Sequence, residues 1–288
     1  MDKNMTALVS AFVKDYHAKN SNIKIYYDKF SILSPEEYDS ISYHLENGIE
    51  FFNSKYNDNN ALDWIVNNIL GPSVLARLAF NQKHLLNEIR LGLKQYVVLG
   101  SGYDTSMYKV NKAVKVFELD RKDVIQDKIE RIKKAKINNQ NVKYISCDFN
   151  NEWIKLLLKN GFKKDEKTLC SILGVSYYLE KETFKNTLKV LSDNISSGSA
   201  ILFDYPNDIG EYSKSINGKL AHGANAEMKS KYSYSYIQDI ASSSNLLIYE
   251  LLNNKDIENN YFYDYNTLNP NNKIKAPIQV NYCLMVKK

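Results

Sequence analysis

From residue 95 onward, short apolar runs recur at the spacing of a strand–helix repeat, and this alternation constrains the fold more than any other feature of the chain. The runs occupy residues 96–99, 114–119, 142–146, 168–173, 200–204, 246–251 and 279–286. Amphipathic stretches over 121–136, 153–159 and 181–195 separate most of them. Unbroken apolar runs of this length mark strands buried on both faces, and parallel strands need a crossover segment between them. The pattern predicts an α/β fold: a doubly wound, mostly parallel seven-stranded sheet covered by helices. Residues 253–275, between the last two runs, are polar and rich in Tyr and Asn without clear helical periodicity. A closing antiparallel hairpin of the last two runs, giving the sheet an antiparallel edge strand, would explain that stretch.

The first 90 residues read differently. Helical apolar spacing covers 5–16, 36–52 and 61–89, with a break expected at Gly71-Pro72, and 23–27 offers one weak strand. Ser34 followed by Pro35, Glu36 and Glu37 spells an N-cap with proline at the first helical position. The expected division is a helical N-terminal cap over residues 1–90 and the α/β domain over 91–288, with 206–236 as a lid after the fifth strand.

Composition removes several function classes. With 44% apolar residues the chain is too hydrophobic to be disordered. No run approaches the roughly 18–20 apolar residues of a membrane span. The apolar stretch 5–13 leads into Lys14 and Asp15 without a small-residue cleavage site, so it reads as a helix and not a signal peptide. Cys147, Cys170 and Cys283 form no C-x-x-C pair, which argues against a disulfide framework or structural zinc and for a reducing cytoplasm. The net charge of +5 names no partner. The one basic stretch, 128–136, is flanked by acids and suits the solvated face of a helix, so neither nucleic acid nor membrane is expected as a partner. Arginine is scarce, with only Arg77, Arg90, Arg121 and Arg131. Any well-placed one is a candidate anion clamp.

The chemistry gathers at strand ends. The run 96–99 ends in Gly100-Ser101-Gly102-Tyr103-Asp104-Thr105. Glycines let a backbone turn sharply and approach a ligand, and a helix N-terminus following them, capped by Asp104 and Thr105, would favour a negative group. A nicotinamide fingerprint would carry a third glycine where Thr105 stands. Gly-x-Gly-x-Asp is the form met more often in S-adenosylmethionine sites. Asp120 ends the second strand twenty positions after Gly100, where an acid accepts from ribose hydroxyls. Asp148 and Phe149, after the third strand, could take an adenine amino group and ring, or serve as a cap beside a core aromatic.

Taken together, Ala76-Arg77, residues 97–105, Phe117-Glu118-Leu119-Asp120, Cys147-Asp148-Phe149, residues 174–179 and Phe203-Asp204-Tyr205 resemble the leucine carboxyl methyltransferase family. That family includes bacterial polyketide-type carboxyl and O-methyltransferases. The resemblance extends to Thr6-Ala7-Leu8 and Asp28-Lys29-Phe30, and fades after about residue 205. It implies a class I, Rossmann-like methyltransferase fold and S-adenosylmethionine as cofactor. It also implies roles: Arg77 on the cofactor carboxylate, Gly100 and Gly102 along the methionine moiety, Asp120 on ribose, Asp148 and Phe149 on adenine, with Asp104 and Gly174 also counted among the cofactor-binding residues. Two positions depart from the family pattern, Leu173 in place of a cofactor-contacting Glu and Ala79 in place of a second Arg.

A carboxylate acceptor, with a pKa near 4, is already ionised at neutral pH and needs no general base, whereas a phenol or alcohol more often does. The sequence is thin in bases, with His17, His44, His84 and His222 outside the strand-end motifs. Carboxylate O-methylation of a small molecule or peptide end is therefore the expected reaction, with no metal. Tyr177, Tyr205 and His222 are the candidate pocket residues. The rivals are a non-catalytic descendant of a methyltransferase, which would explain Leu173, and a nicotinamide-dependent oxidoreductase.

Overall fold

Each apolar run becomes a strand. They are β1 (Gln95–Leu99), β2 (Lys115–Asp120), β3 (Val142–Ser146), β4 (Thr168–Ile172), β5 (Ala200–Pro206), β6 (Leu246–Leu252) and β7 (Val280–Lys287). The computed structural model describes residues 5–209 and 228–288. Within them the strands form one sheet in the order β3-β2-β1-β4-β5-β7-β6. Neighbours from β3 through β5 pair in parallel, and β7 runs antiparallel between β5 and β6. The order turns back between β1 and β4, which places the ligand crevice of an open α/β sheet at their carboxyl ends.

Helices cover both faces. Strand alternation sends Val97, Leu99, Phe117, Phe203 and Tyr205 to one side, where α7 (Trp153–Lys159), α8 (Lys181–Asn194) and α9 (Tyr234–Ser243) pack. It sends Tyr96, Val98, Val116 and Leu202 to the other. There α1 (Met5–Asn20), α5 (Gly71–Arg90) and α6 (Lys122–Lys134) contribute Leu8, Ala76, Phe80, Val124 and Ile132. A third cluster, with Phe12, Val13, Ile65, Val66, Leu75 and Leu78, joins α1 and α5 to α2 (Pro35–Asn47), α3 (Ile49–Phe52) and α4 (Ala61–Ile65).

Three local expectations change. The break at Gly71-Pro72 is a π turn over Val66–Leu70, so the helix continues through it. A Cβ at Gly71 would stand 2.5 Å from Val66 O, and the extra residue of the π turn makes room for the proline ring. Residues 23–27 form no strand. The stretch 253–275 holds α10 (Asn254–Ile257), a π turn and α11 (Tyr263–Leu268), started by a capping box at Asn253, with Asp256 supplying the reciprocal bond. The π turn at its centre shifts the apolar positions off a regular helical spacing, which hides the helix from a periodicity reading.

The basic stretch 128–136 is not a solvated face throughout. Lys128 is fully buried against Glu118. Arg131 reaches the cap, where Nη1 and Nη2 donate to Glu37 at 2.6 and 2.7 Å while Nε donates to Asp127 at 2.7 Å. Glu37 also accepts from the Ser34 amide, so one carboxylate closes the capping box of α2 and clamps the cap to α6.

At the far edge, Glu250 of β6 accepts from Lys83 at 2.8 Å and pairs with His84 Nε2 at 2.7 Å. The His84 hydrogen bond, outweighing burial, holds the Glu250 carboxyl down at about 2. A depressed carboxylate stabilises the fold above its ordinary pKa and loses that contribution as pH falls through the folded value. Glu250→Gln is therefore expected to be less stable than the parent at pH 6 by about 1 kcal/mol, discounted for partial exposure. Thermal melts should show the gap closing between pH 4.5 and pH 2.

Candidate active site

After Leu99 the chain turns through Gly100 (φ 67°) and Gly102 (φ 44°), both in the left-handed region. A Cβ on Gly100 would overlap Val175 Cγ2, so the turn after β1 packs directly on the turn after β4. The Gly102 amide donates to Asp120 Oδ2 at 2.8 Å and the Arg121 amide to Asp120 Oδ1 at 2.7 Å. Burial raises the Asp120 carboxyl above the usual range. With two of about four acceptor positions used, Asp120 can still take two hydroxyl donors.

The helix expected after the glycines is a single 3₁₀ turn, Ser106–Lys109. Asp104 caps that turn, accepting from the Ser106 amide at 2.9 Å and the Ser106 hydroxyl at 2.7 Å. Thr105 is fully buried; its Oγ1 accepts from Lys14 Nζ at 2.6 Å and donates to Asp28 Oδ2 at 2.6 Å. Among the described residues the segment that follows the turn is this single 3₁₀ turn and not a long helix, which departs from a dinucleotide-binding loop. Beneath the turn lies the Lys128–Glu118 pair, with Tyr108 donating to Glu118 Oε1 at 2.8 Å. Removing one member of a pair buried this deeply costs roughly 3–5 kcal/mol.

At the end of β3, Asp148 is exposed and accepts from the Asn150 amide, Asn150 Nδ2 and Asn151 Nδ2 in its own turn. Phe149 is half-buried, edge-on to Trp153 at 5.9 Å. Burial, with Asp120 and Asp148 adding, lifts the Cys147 thiol to about 12, which leaves it protonated and inert.

The turn after β4 adjoins a second charged pair. Gly174 (φ 70°) lies against Arg77, and a Cβ there would stand 2.5 Å from Arg77 Nη1. Arg77 Nη2 donates to Ser10 Oγ at 3.1 Å, and Nη1 stands 4.0 Å from Asp204 Oδ2. Asp204 is fully buried and accepts from the Gly174 amide at 2.6 Å and from Tyr177 OH at 3.2 Å. Burial raises its carboxyl pKa against the opposing pull of Arg77.

Tyr205 is a correction. Strand alternation puts it on the opposite face from Asp204, fully buried with Phe203 and Tyr232, its hydroxyl accepting from Asn281 at 3.2 Å. It is a core residue and not a pocket wall. His222 and most of the lid lie outside the described residues. Three features escaped sequence reading: Asp204, the Lys14–Thr105–Asp28 network and the Glu118–Lys128 pair. Period-two alternation along β2 and β5 was the available signal for the two acids.

Residues 7–192 match the family model for leucine carboxyl methyltransferase. The chain belongs to the leucine carboxyl methyltransferase family. A similar protein is YktD of Bacillus subtilis, classed among the S-adenosyl-L-methionine-dependent methyltransferases. It is 32% identical over 306 residues, spanning 100% of this chain and 99% of its own. Among solved structures, a DUF574-family protein of Streptomyces avermitilis aligns with a TM-score of 0.60 at 11% identity, over 97% of both chains. Magnesium protoporphyrin IX methyltransferase from Synechocystis, with bound S-adenosylhomocysteine, aligns at 0.50 and 10% identity, over 87% of this chain and 99% of that one. These likenesses carry the fold. The family and its relatives identify an S-adenosylmethionine-dependent methyltransferase.

The residues fit that cofactor. Glycines at 100, 102 and 174, an Asp120 with spare acceptor positions and a guanidinium with N–H groups to spare among the described residues suit a ligand carrying hydroxyls and a carboxylate. Among the described residues no group of His, Cys, Asp and Glu is arranged to hold a metal, and no helix is long and apolar enough to cross a membrane.

Gly100→Ala is expected to cost about 2–4 kcal/mol, from left-handed strain plus overlap with the stiff Val175 side chain. Gly102→Ala, whose Cβ would meet only Ala7 at 3.6 Å, should cost about 1–2 kcal/mol. Chemical denaturation of the two variants checks the order.

Proposed function

We propose that this enzyme methylates an oxygen, and specifically a carboxylate oxygen, of a small molecule or peptide end. The observation that carries the reading is the protonation chemistry around the strand ends. His17 is buried away from them; its Nε2 accepts from the Ile25 amide at 2.9 Å, and burial lowers its pKa to about 4. His44 bonds Ser40 O on the exposed face of α2, and His84 pairs with Glu250 at the sheet edge. Burial raises the pKa of the Tyr178 and Tyr282 phenols, which keeps them protonated at neutral pH and so unable to take a proton. Among the described residues, then, no histidine stands ready to deprotonate a phenol or alcohol at the cleft. A carboxylate does not require one.

The cofactor, when bound, supplies an electrophilic methyl group on a sulfonium. Arg77 would hold its carboxylate, Gly100, Gly102 and Gly174 would let the backbone approach its amino-acid chain, and Asp120 would accept from its ribose. Asp148 and Phe149 would border its adenine, although Asp148 already serves its own turn. Asp104 supports the loop through Ser106. Transfer is an in-line displacement, so the protein's contribution is to hold the acceptor oxygen close and aligned. Tyr177, anchored on Asp204, stands on the cap side where that acceptor would lie. The three free cysteines fit a reducing, cytoplasmic setting.

Calorimetry with S-adenosylhomocysteine should give saturable binding, and Asp120→Ala should weaken it on the order of tenfold to a hundredfold. Labelled methyl groups transferred to acceptor mixtures should be released as methanol by mild base, as from a methyl ester. A base-stable product would overturn the carboxylate assignment, and binding without transfer would make the chain a non-catalytic descendant.

A further inference from the structure

Arg77 already has a role in the reading above, on the cofactor carboxylate, but the buried Asp204 beside it has none. Arg77 is held but not consumed. A guanidinium has five N–H donors, yet among the described residues its one hydrogen bond goes to Ser10 Oγ, and Asp204 stands at 4.0 Å, outside hydrogen-bond range. Its side chain keeps 19% of its surface open, whereas the Asp204 side chain keeps none. Gly174 contributes the space in which the guanidinium rests, and the same Gly174 donates its amide to Asp204. One buried carboxylate therefore sets both the shape of the β4 turn and the place of the charge above it.

The neighbouring position sharpens the point. Leu173 is apolar and packs against the core on the cap side. No carboxylate can come to this turn from β4, and Asp204 brings one from the adjoining strand, within 2.6 Å of the next amide. A lone guanidinium would accept any carboxylate. A guanidinium paired with a buried acid is close to neutral as a unit, and it best matches a ligand end carrying both charges.

We propose that Asp204 is a positioning residue for cofactor binding: it sets Arg77 over Gly174 and pairs its charge, so that the guanidinium meets the amino-acid end of the cofactor in one orientation. This rests on the cofactor reading given above. The carboxylate of that end meets the open guanidinium. Asp204, without needing to touch the ligand, keeps Arg77 over Gly174 and supplies the negative field that an ammonium prefers.

The test separates the amino-acid end from the nucleoside. Binding of S-adenosylhomocysteine and of 5′-methylthioadenosine, which lacks the amino-acid end, is measured on the intact chain by calorimetry. Asp204→Asn keeps an acceptor for the Gly174 amide but removes the charge. It should weaken S-adenosylhomocysteine on the order of tenfold and leave methylthioadenosine within about twofold. Arg77→Gln, at the more exposed member of the pair, should give the same split, and it serves alone if Asp204→Asn does not fold. The double variant should lose little more than either single one, because the two act as a unit. Equal loss for both ligands would mean that Asp204 merely supports the fold, and no loss for either would remove it from the site. Both outcomes overturn the inference. If the parent protein binds neither ligand, the cofactor reading itself fails.

Discussion

Two carboxylates reaching sideways across the sheet hold the site open. Asp120 on β2 accepts from the amide of Gly102 in the turn after β1. Asp204 on β5 accepts from the amide of Gly174 in the turn after β4. The two turns belong to the adjacent central strands and touch through Gly100 and Val175. Tight glycine turns lose much entropy on ordering, and a charge-assisted bond from the flanking strand offsets part of that loss. The same bonds leave Asp120 with capacity for a ligand and leave Asp204 buried behind an arginine, so paired scaffolding gives the two halves of the crevice different chemistry.

The cap is joined to this scaffold by polar contacts that are mostly shielded from water. Lys14 reaches Thr105, Asp28 receives Thr105, and Arg131 clamps Glu37 while its guanidinium stacks over Tyr103 at 4.9 Å. Each contact lands on the glycine turn or on the helix beside it. Desolvated pairs are costly to form and costlier to leave half-made, so they favour one seating of the cap over nearby alternatives.

Much of this was legible in the chain, for identifiable reasons. Buried parallel strands advertise themselves as unbroken apolar runs, and all seven were placed to within a residue or two. The glycine turn was visible because positive φ and close packing leave few other residues admissible. The roles of single side chains were harder. Tyr205 and Asp204 are neighbours in sequence, and which of them faces the cap depends on the phase of β5 against helices far away in the chain. Lys128 looked solvated because its partner Glu118 sits on another element, and a short-range charge pattern carries no trace of that pairing. The helical stretch within 253–275 was missed because its central turn, 258–262, is a π turn, which shifts the apolar positions off a single 3.6-residue spacing.

Helix α5 serves two cores at once. Val74, Leu75 and Leu78 face the cluster of the cap, while Ala76, Phe80 and Leu85 face the sheet, and Arg77 leaves the helix between them. The helix is a lever wedged between two packed layers, with the guanidinium at its tip. Trimming or enlarging a side chain in either layer would roll it, and interiors packed at crystal density transmit such strain instead of absorbing it. The grip on a ligand's charged tail is thereby tied to the volume of aliphatic residues that no ligand touches.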